Sequence, residues 1–131
     1  MRQATTLDWR SKGLNADDGK AIACLISSGA LASLQTLWLN HNQIGDAGMI
    51  AFAEALKPNS NFPMGALASL KELYIGGNQI GDSGMKAFSA VLSSGALDTL
   101  TYLYLYNNPA SNSAKDTMKA VASNRSISLS I

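Results

Sequence analysis

Apolar and polar residues alternate in four short stretches, Leu7-Asp8-Trp9, Leu37-Trp38-Leu39, Leu73-Tyr74-Ile75 and Leu103-Tyr104-Leu105. A period of two marks a short strand with one face buried. A polar turn follows each stretch, and apolar residues then return at helical spacing, as in Met49, Phe52 and Leu56 or Met85, Phe88 and Leu92. The pattern therefore predicts a strand, a turn, a helix and a return loop, repeated along the chain. The tail Ile127-Ser128-Leu129-Ser130-Ile131 alternates again and predicts a fifth strand without a helix.

The copies agree in detail. Ala66-Leu67-Ala68-Ser69-Leu70 repeats Ala30-Leu31-Ala32-Ser33-Leu34, and Asn42-Gln43-Ile44-Gly45-Asp46 returns as Asn78-Gln79-Ile80-Gly81-Asp82. Leu7, Leu37, Leu73 and Leu103 lie 30, 36 and 30 residues apart. The extra residues fall in 57–65, around Phe62, Pro63 and Met64, where an insertion that leaves the register intact implies a surface loop folded over the second and third units. The expected units are about 5–29, 35–65, 71–95 and 101–124, with the terminal strand at 127–131, all within one domain, 1–131.

One such unit cannot bury its own apolar face, whereas stacked copies share a continuous core. Strands stack about 4.8 Å apart and helices need roughly 8–10 Å, so the stack should bend. The expected fold is an α/β right-handed solenoid, with parallel strands on the concave face and helices on the convex face. Asp46, Asp82 and Asn112 share a column just before the helices, where N-caps are expected, with Asn15 or Asp17 serving the first. Ala21, Ala51, Ala87 and Thr117 share another and suggest close packing between units.

The pattern Leu-x-x-Leu-x-Leu-x-x-Asn-x-Ile-Gly-Asp, carried by Leu34 to Asp46 and Leu70 to Asp82, resembles the leucine-rich repeat. It is most similar to the ribonuclease-inhibitor-like class, also seen in Ran GTPase activators. That resemblance implies an array that grips proteins with its concave surface, and it leaves activation of a small GTPase as an alternative.

Where a strand turns away from its sheet, backbone groups lose their ladder partners, and burial makes that costly. A side-chain amide both donates and accepts, so Asn42, Asn78 and Asn108 are expected to form a structural ladder. Lys12 replaces the Asn in the first unit and cannot accept, which predicts a looser first turn.

Residues between the buried Leu positions should face solvent. The central column is Asp8, Trp38, Tyr74 and Tyr104, flanked by Thr6, Thr36, Glu72 and Tyr102 and by Arg10, Asn40, Gly76 and Tyr106. Asp8, Arg10, Trp38, Asn40, Glu72, Tyr74, Tyr102, Tyr104 and Tyr106 are the expected partner-binding residues, since Trp, Tyr and Arg dominate interface hot spots. A plainer reading is that the rings stack across strands and stabilise the sheet.

Composition narrows the function further. Hydrophobic residues make up 47% of 131, aromatics 7% and charged residues 15%, so Leu and Ala must fill most of the core and Trp9, Phe52 and Phe88 supply its few rings. Ten Lys and Arg against nine Asp and Glu argue against nucleic acid, which needs clustered positive charge. No apolar run approaches a membrane span, and the first residues lack a signal-type stretch, so the expectation is a cytoplasmic protein with no membrane partner. A lone Cys24 and a lone His41 form neither a disulfide nor a metal site, and Asp17-Asp18 lacks the other ligands of a calcium loop. Neither a catalytic constellation nor a cofactor site is readable. The expectation is a protein–protein interaction module that is not an enzyme, bound to another protein of unspecified identity. Unpaired edges at the outer strands leave an end-to-end homodimer, or a structural segment of a longer array, as further alternatives.

Overall fold

The computed structural model describes residues 5–57 and 66–131. Among these residues five strands, β1 (Thr6–Asp8), β2 (Thr36–Trp38), β3 (Glu72–Tyr74), β4 (Tyr102–Tyr104) and β5 (Ser128–Ser130), alternate with four helices. The helices are α1 (Ala16–Ser27), α2 (Gly45–Leu56), α3 (Asp82–Ser93) and α4 (Asn112–Asn124). All strands are parallel in the order β1-β2-β3-β4-β5, so each helix carries the chain from one strand to its neighbour. Register follows the repeat: Leu7, Leu37, Leu73, Leu103 and Leu129 stand side by side. The chain is thus an α/β stack of repeated strand–helix units, with α1 to α4 packed in sequence as a second layer. Residues 58–65, and with them Phe62, Pro63 and Met64 of the insertion, lie outside the described part.

The core sits between the layers. Leu37, Leu73 and Leu103 from the strands are fully buried, and Phe52, Phe88, Met49 and Met85 meet them from the helices. Phe52 and Phe88 lie 6.3 Å apart, centroid to centroid, across the α2–α3 seam. The first unit is less well covered. Trp9, expected inside, is half-buried, as are Leu7 and Leu14, because each unit is sealed by neighbours on both sides and the first has a described neighbour on only one.

Two expectations about the helices are corrected. Asp46, Asp82 and Asn112 cap none of their own helices. Ile44, Gly81 and Ser111 stand at the caps of α2, α3 and α4, which places the expected residues one or two positions inside. Only α1 is capped as expected, by Asn15, in a reciprocal capping box with Asp18. The two aspartates reach forward instead. Asp46 Oδ1 accepts from Gly81 N and Gly84 N, both at 2.8 Å, and Asp82 accepts from Ser111 N (2.6 Å) and Ser111 Oγ (2.9 Å). Asp46 therefore caps the helix of the following unit directly, where the free N–H groups and the helix dipole favour negative charge, whereas Asp82 holds Ser111, whose Oγ accepts from Ala114 N and caps α4.

Glycines make much of the close packing, and the Ala column shares in it only at its centre. Ala51 and Ala87 are partly buried against the core, Ala21 and Thr117 are exposed, and Gly19, Gly48 and Gly84 are buried. A Cβ on Gly48 would stand 2.6 Å from Ile44 Cγ2, and one on Gly84 would stand 2.7 Å from Asp46 Oδ1. Gly84 thus clears the space its capping carboxylate fills. At the other end of α3, Arg125 donates to the carbonyls of Leu92 (2.9 Å), Ala96 and Leu97 (2.8 Å), tying the fourth unit to the third.

Candidate functional site: the open face of the sheet

Two sets of residues leave the strands towards their carboxyl ends, one inward and one outward. The inward set is the Asn column. Asn42, Asn78 and Asn108 are all buried, at 4%, 0% and 6% exposure. Asn42 Oδ1 accepts from Lys12 N (2.9 Å) and Leu14 N (3.1 Å), while its Nδ2 donates to Trp9 O and Leu39 O, both at 2.9 Å. Asn108 repeats this one unit apart from Asn78, accepting from Asn78 N (2.9 Å) and Ile80 N (3.2 Å) and donating to Ile75 O (3.1 Å). Asn78 donates to Leu39 O at 2.8 Å. Every Asn therefore satisfies the turn of the unit before it. This corrects the expectation of a loose first turn: Lys12 need not accept anything, because Asn42 holds that turn from the second unit. Next to this column, Ser11, His41, Gly77 and Asn107 all take left-handed backbone, with φ between 53° and 65°. His41 thus occupies a bend position common to four units, and it packs against Gly77, where an added Cβ would stand 2.8 Å from its Nδ1.

The outward set lies on the sheet face away from the helices. Register places Asp8, Trp38, Tyr74 and Tyr104 in one row across β1 to β4, and Thr6, Thr36, Glu72 and Tyr102 in the next. The rings in these rows touch. Trp38 and Tyr74 stack face to face, with centroids 3.8 Å apart and planes 6° from parallel. Tyr74 meets Tyr102 at 5.4 Å and Tyr104 at 6.2 Å, and Tyr104 meets Tyr106 edge-on at 5.3 Å. At the other end the Arg10 guanidinium lies 4.7 Å over the Trp38 ring. One continuous row of contacts thus runs from Arg10 to Tyr106.

Most of these rings are half-buried by one another rather than freely exposed; Tyr106, at 47%, is the exception. The stacking reading and the open-face reading therefore describe the same residues. Gly76 makes the arrangement possible. It is buried, and a Cβ there would stand within 2.4 Å of Tyr104 Cε1, so only glycine leaves the ring room to lie over the strand.

Several polar groups on this face pair with one another. Arg10 Nε and Nη2 donate to Asp8 Oδ1 and Oδ2 at 2.8 and 2.6 Å, and these hydrogen bonds lower the Asp8 carboxyl from 3.8 to about 2. The same pairing raises the Arg10 guanidinium. Tyr74 Oη donates to Glu72 Oε1 at 2.6 Å, and burial, with that bond second, pushes the phenol up to about 12. Asn40 Oδ1 accepts from Gly76 N at 2.9 Å, and Tyr102 Oη pairs with Ser130 Oγ at 3.0 Å. All nine expected partner-binding residues are brought to this one face.

Elsewhere the described residues hold little chemistry. Cys24 is an exposed free thiol on α1, distant in the fold from the ring row. No group of three or more His, Cys, Asp or Glu among the described residues is placed to hold a metal ion. No described helix is long and apolar enough to cross a membrane. Sequence reasoning missed the forward-reaching Asp46 and Asp82 and the carbonyl clamp of Arg125. Gly81 and Gly84 were the available signal for the first, since a self-capping Asp46 leaves both glycines without a reason.

Residues 30–53 and 66–89, the second and third units, match the family model described as leucine-rich repeat. Among solved structures, actin-binding site 2 of leiomodin-1 superposes with a TM-score of 0.74 over 96% of this chain and 69% of that one, at 16% identity. No curated protein sequence matches the chain.

Proposed function

Starting from a chain built of leucine-rich repeats, we propose a protein–protein interaction module that grips its partner through the open face of the sheet. The observation that carries this reading is the unbroken contact row Arg10–Trp38–Tyr74–Tyr104–Tyr106 on the sheet face away from the described helices. Rings already stacked lose little freedom on binding, so their edges offer contact area at small entropic cost. Aromatic and Arg residues at the centre of a patch are also the usual carriers of interface energy. Asn42, Asn78 and Asn108 support the face from within by fixing the turns that end each strand. Leiomodin-1's actin-binding site 2 shares the fold, which makes actin the first protein to offer.

Tyr106→Ser is the most direct test, because this ring is exposed and its loss leaves the Trp38–Tyr74 stack in place. Immobilised wild-type chain should retain a partner, actin or another, that the Tyr106→Ser chain loses while melting at the same temperature. Equal retention by both chains contradicts the reading.

A second reading rests on the sheet's ends. Among the described residues β1 pairs only with β2 and β5 only with β4, so one edge of each is left without a described strand, and such edges template pairing with another chain. End-to-end association then predicts a mass by light scattering that rises with concentration. A constant monomer mass contradicts it.

A further inference from the structure

We propose that the open face accepts a proline-rich segment in polyproline II conformation, laid across the strands with its carbonyls turned to the rings. This rests on the reading of that face as a protein-binding surface and specifies the chemistry of what binds.

Hydrogen-bonding capacity is the first argument. The indole N–H of Trp38 and the hydroxyls of Tyr104 and Tyr106 have no partner among the described residues, and no buried described side-chain polar atom is left unsatisfied, so these groups face solvent. Beside them Asp8 is paired with Arg10, and the Glu72 carboxylate accepts from the Tyr74 hydroxyl. The face therefore offers ring edges and free hydrogen-bond donors, and its cation, Arg10, is already paired. A proline-rich chain is the chemical counterpart: it carries carbonyl acceptors, lacks N–H donors at each proline, is apolar at its rings and exposes its whole backbone.

Spacing is the second. A polyproline II helix repeats every three residues, about 9.3 Å, and two steps across a parallel sheet span about 9.6 Å. Trp38 on β2 and Tyr104 on β4 occupy one register row two strands apart. A ligand crossing the strands would meet this row with the same face at each turn. The third is the state of the ring faces. Sugars stack on open aromatic faces, but Trp38 is covered by Tyr74 on one side and by Arg10 on the other. Edges and tilted grooves remain, with Tyr74 and Tyr104 at 39° and Tyr104 and Tyr106 at 75°. Aromatic grooves of that kind suit a stiff, preformed chain that has little entropy to lose.

The test is fluorescence anisotropy of a labelled, blocked ten-residue polyproline peptide titrated with the whole chain, beside a Gly-Ser peptide of equal length. Saturable binding of the polyproline peptide alone is expected. Tyr104→Phe, which keeps the ring and removes a donor, should weaken it on the order of fivefold, and Tyr106→Ala should weaken it at least as much. Circular dichroism melts confirm that both variants stay folded. No binding, equal binding of the Gly-Ser peptide, or affinity untouched by both substitutions overturns the proposal. A protein partner that depends on Tyr106 while polyproline fails to bind also overturns it, yet leaves the interaction-module reading standing. Failure of that reading shows instead as a partner indifferent to Tyr106.

Discussion

Trp38 and Tyr74 lie ring on ring across adjacent parallel strands, 3.8 Å between centroids and 6° from parallel. In-register neighbours in a parallel sheet stand about 4.8 Å apart, so two flat rings in one row can close on each other and shed water between them. The stack is both part of the fold and the floor of the open face. A double-mutant cycle with Trp38→Leu and Tyr74→Leu, measured by urea unfolding, should give a coupling of about 1 kcal/mol. A coupling near zero would detach the rings from the stability of the sheet.

Asp46 is expected to stabilise α3 rather than its own helix. Asp46→Ala should cost about 1 kcal/mol, and amide exchange should quicken at Gly81 and Gly84, the two N–H groups it accepts from. Faster exchange confined to the first turn of α2 would return Asp46 to a self-capping role.

The Asn column serves backward, from each unit to the one before. Asn108→Leu leaves Asn78 N and Ile80 N, both in buried residues, without an acceptor. It should cost on the order of 2 kcal/mol. Lys12→Asn, which restores the repeat consensus at the first unit, should change stability by less than about 0.5 kcal/mol, since Asn42 already holds that turn. Chemical denaturation of the two variants decides the direction of the ladder.

The pH dependence has two limbs of opposite origin. Asp8 is lowered to about 2 by Arg10, and Asp82 is lowered by its hydrogen bonds to Ser111. Depressed carboxylates add stability above their unfolded values near 4, and that contribution fades as pH falls through the folded values. Tyr74 is raised to about 12, chiefly by burial. Its contribution is complete below pH 10 and is lost as pH climbs through 12. Unfolding midpoints should therefore decline below pH 4 and above pH 10. A tyrosinate absorbance step near pH 12 should vanish in Tyr74→Phe.

Strand register was legible because the Leu column and the Asn column recur at one spacing, and a slip of one residue would turn every Leu to solvent. That is why the alignment of Asp8, Trp38, Tyr74 and Tyr104 is legible in the sequence alone. The caps were not legible, since an aspartate near a helix start can serve its own helix or the next one. Both aspartates reach forward although the helix starts differ, with α2 opening on Gly45 at φ 65° and α3 on Asp82 after an extended Gly81. Alternation likewise gives the face on which Tyr74 lies, but not that Trp38 would cover it. The half-burial of Trp9 follows from its place at the end of the stack, which a column shared with inward residues does not reveal.

The central claim is that the face carrying these rings holds a protein partner. It is tested most directly by the affinity of a captured partner for three chains: wild type, Tyr106→Ser, and Lys86→Ser on the exposed side of α3. The expected result is a loss of tenfold or more, about 1.4 kcal/mol, for Tyr106→Ser alone, with all three chains melting together. Equal affinities, or a loss confined to Lys86→Ser, would place the binding surface elsewhere and contradict it.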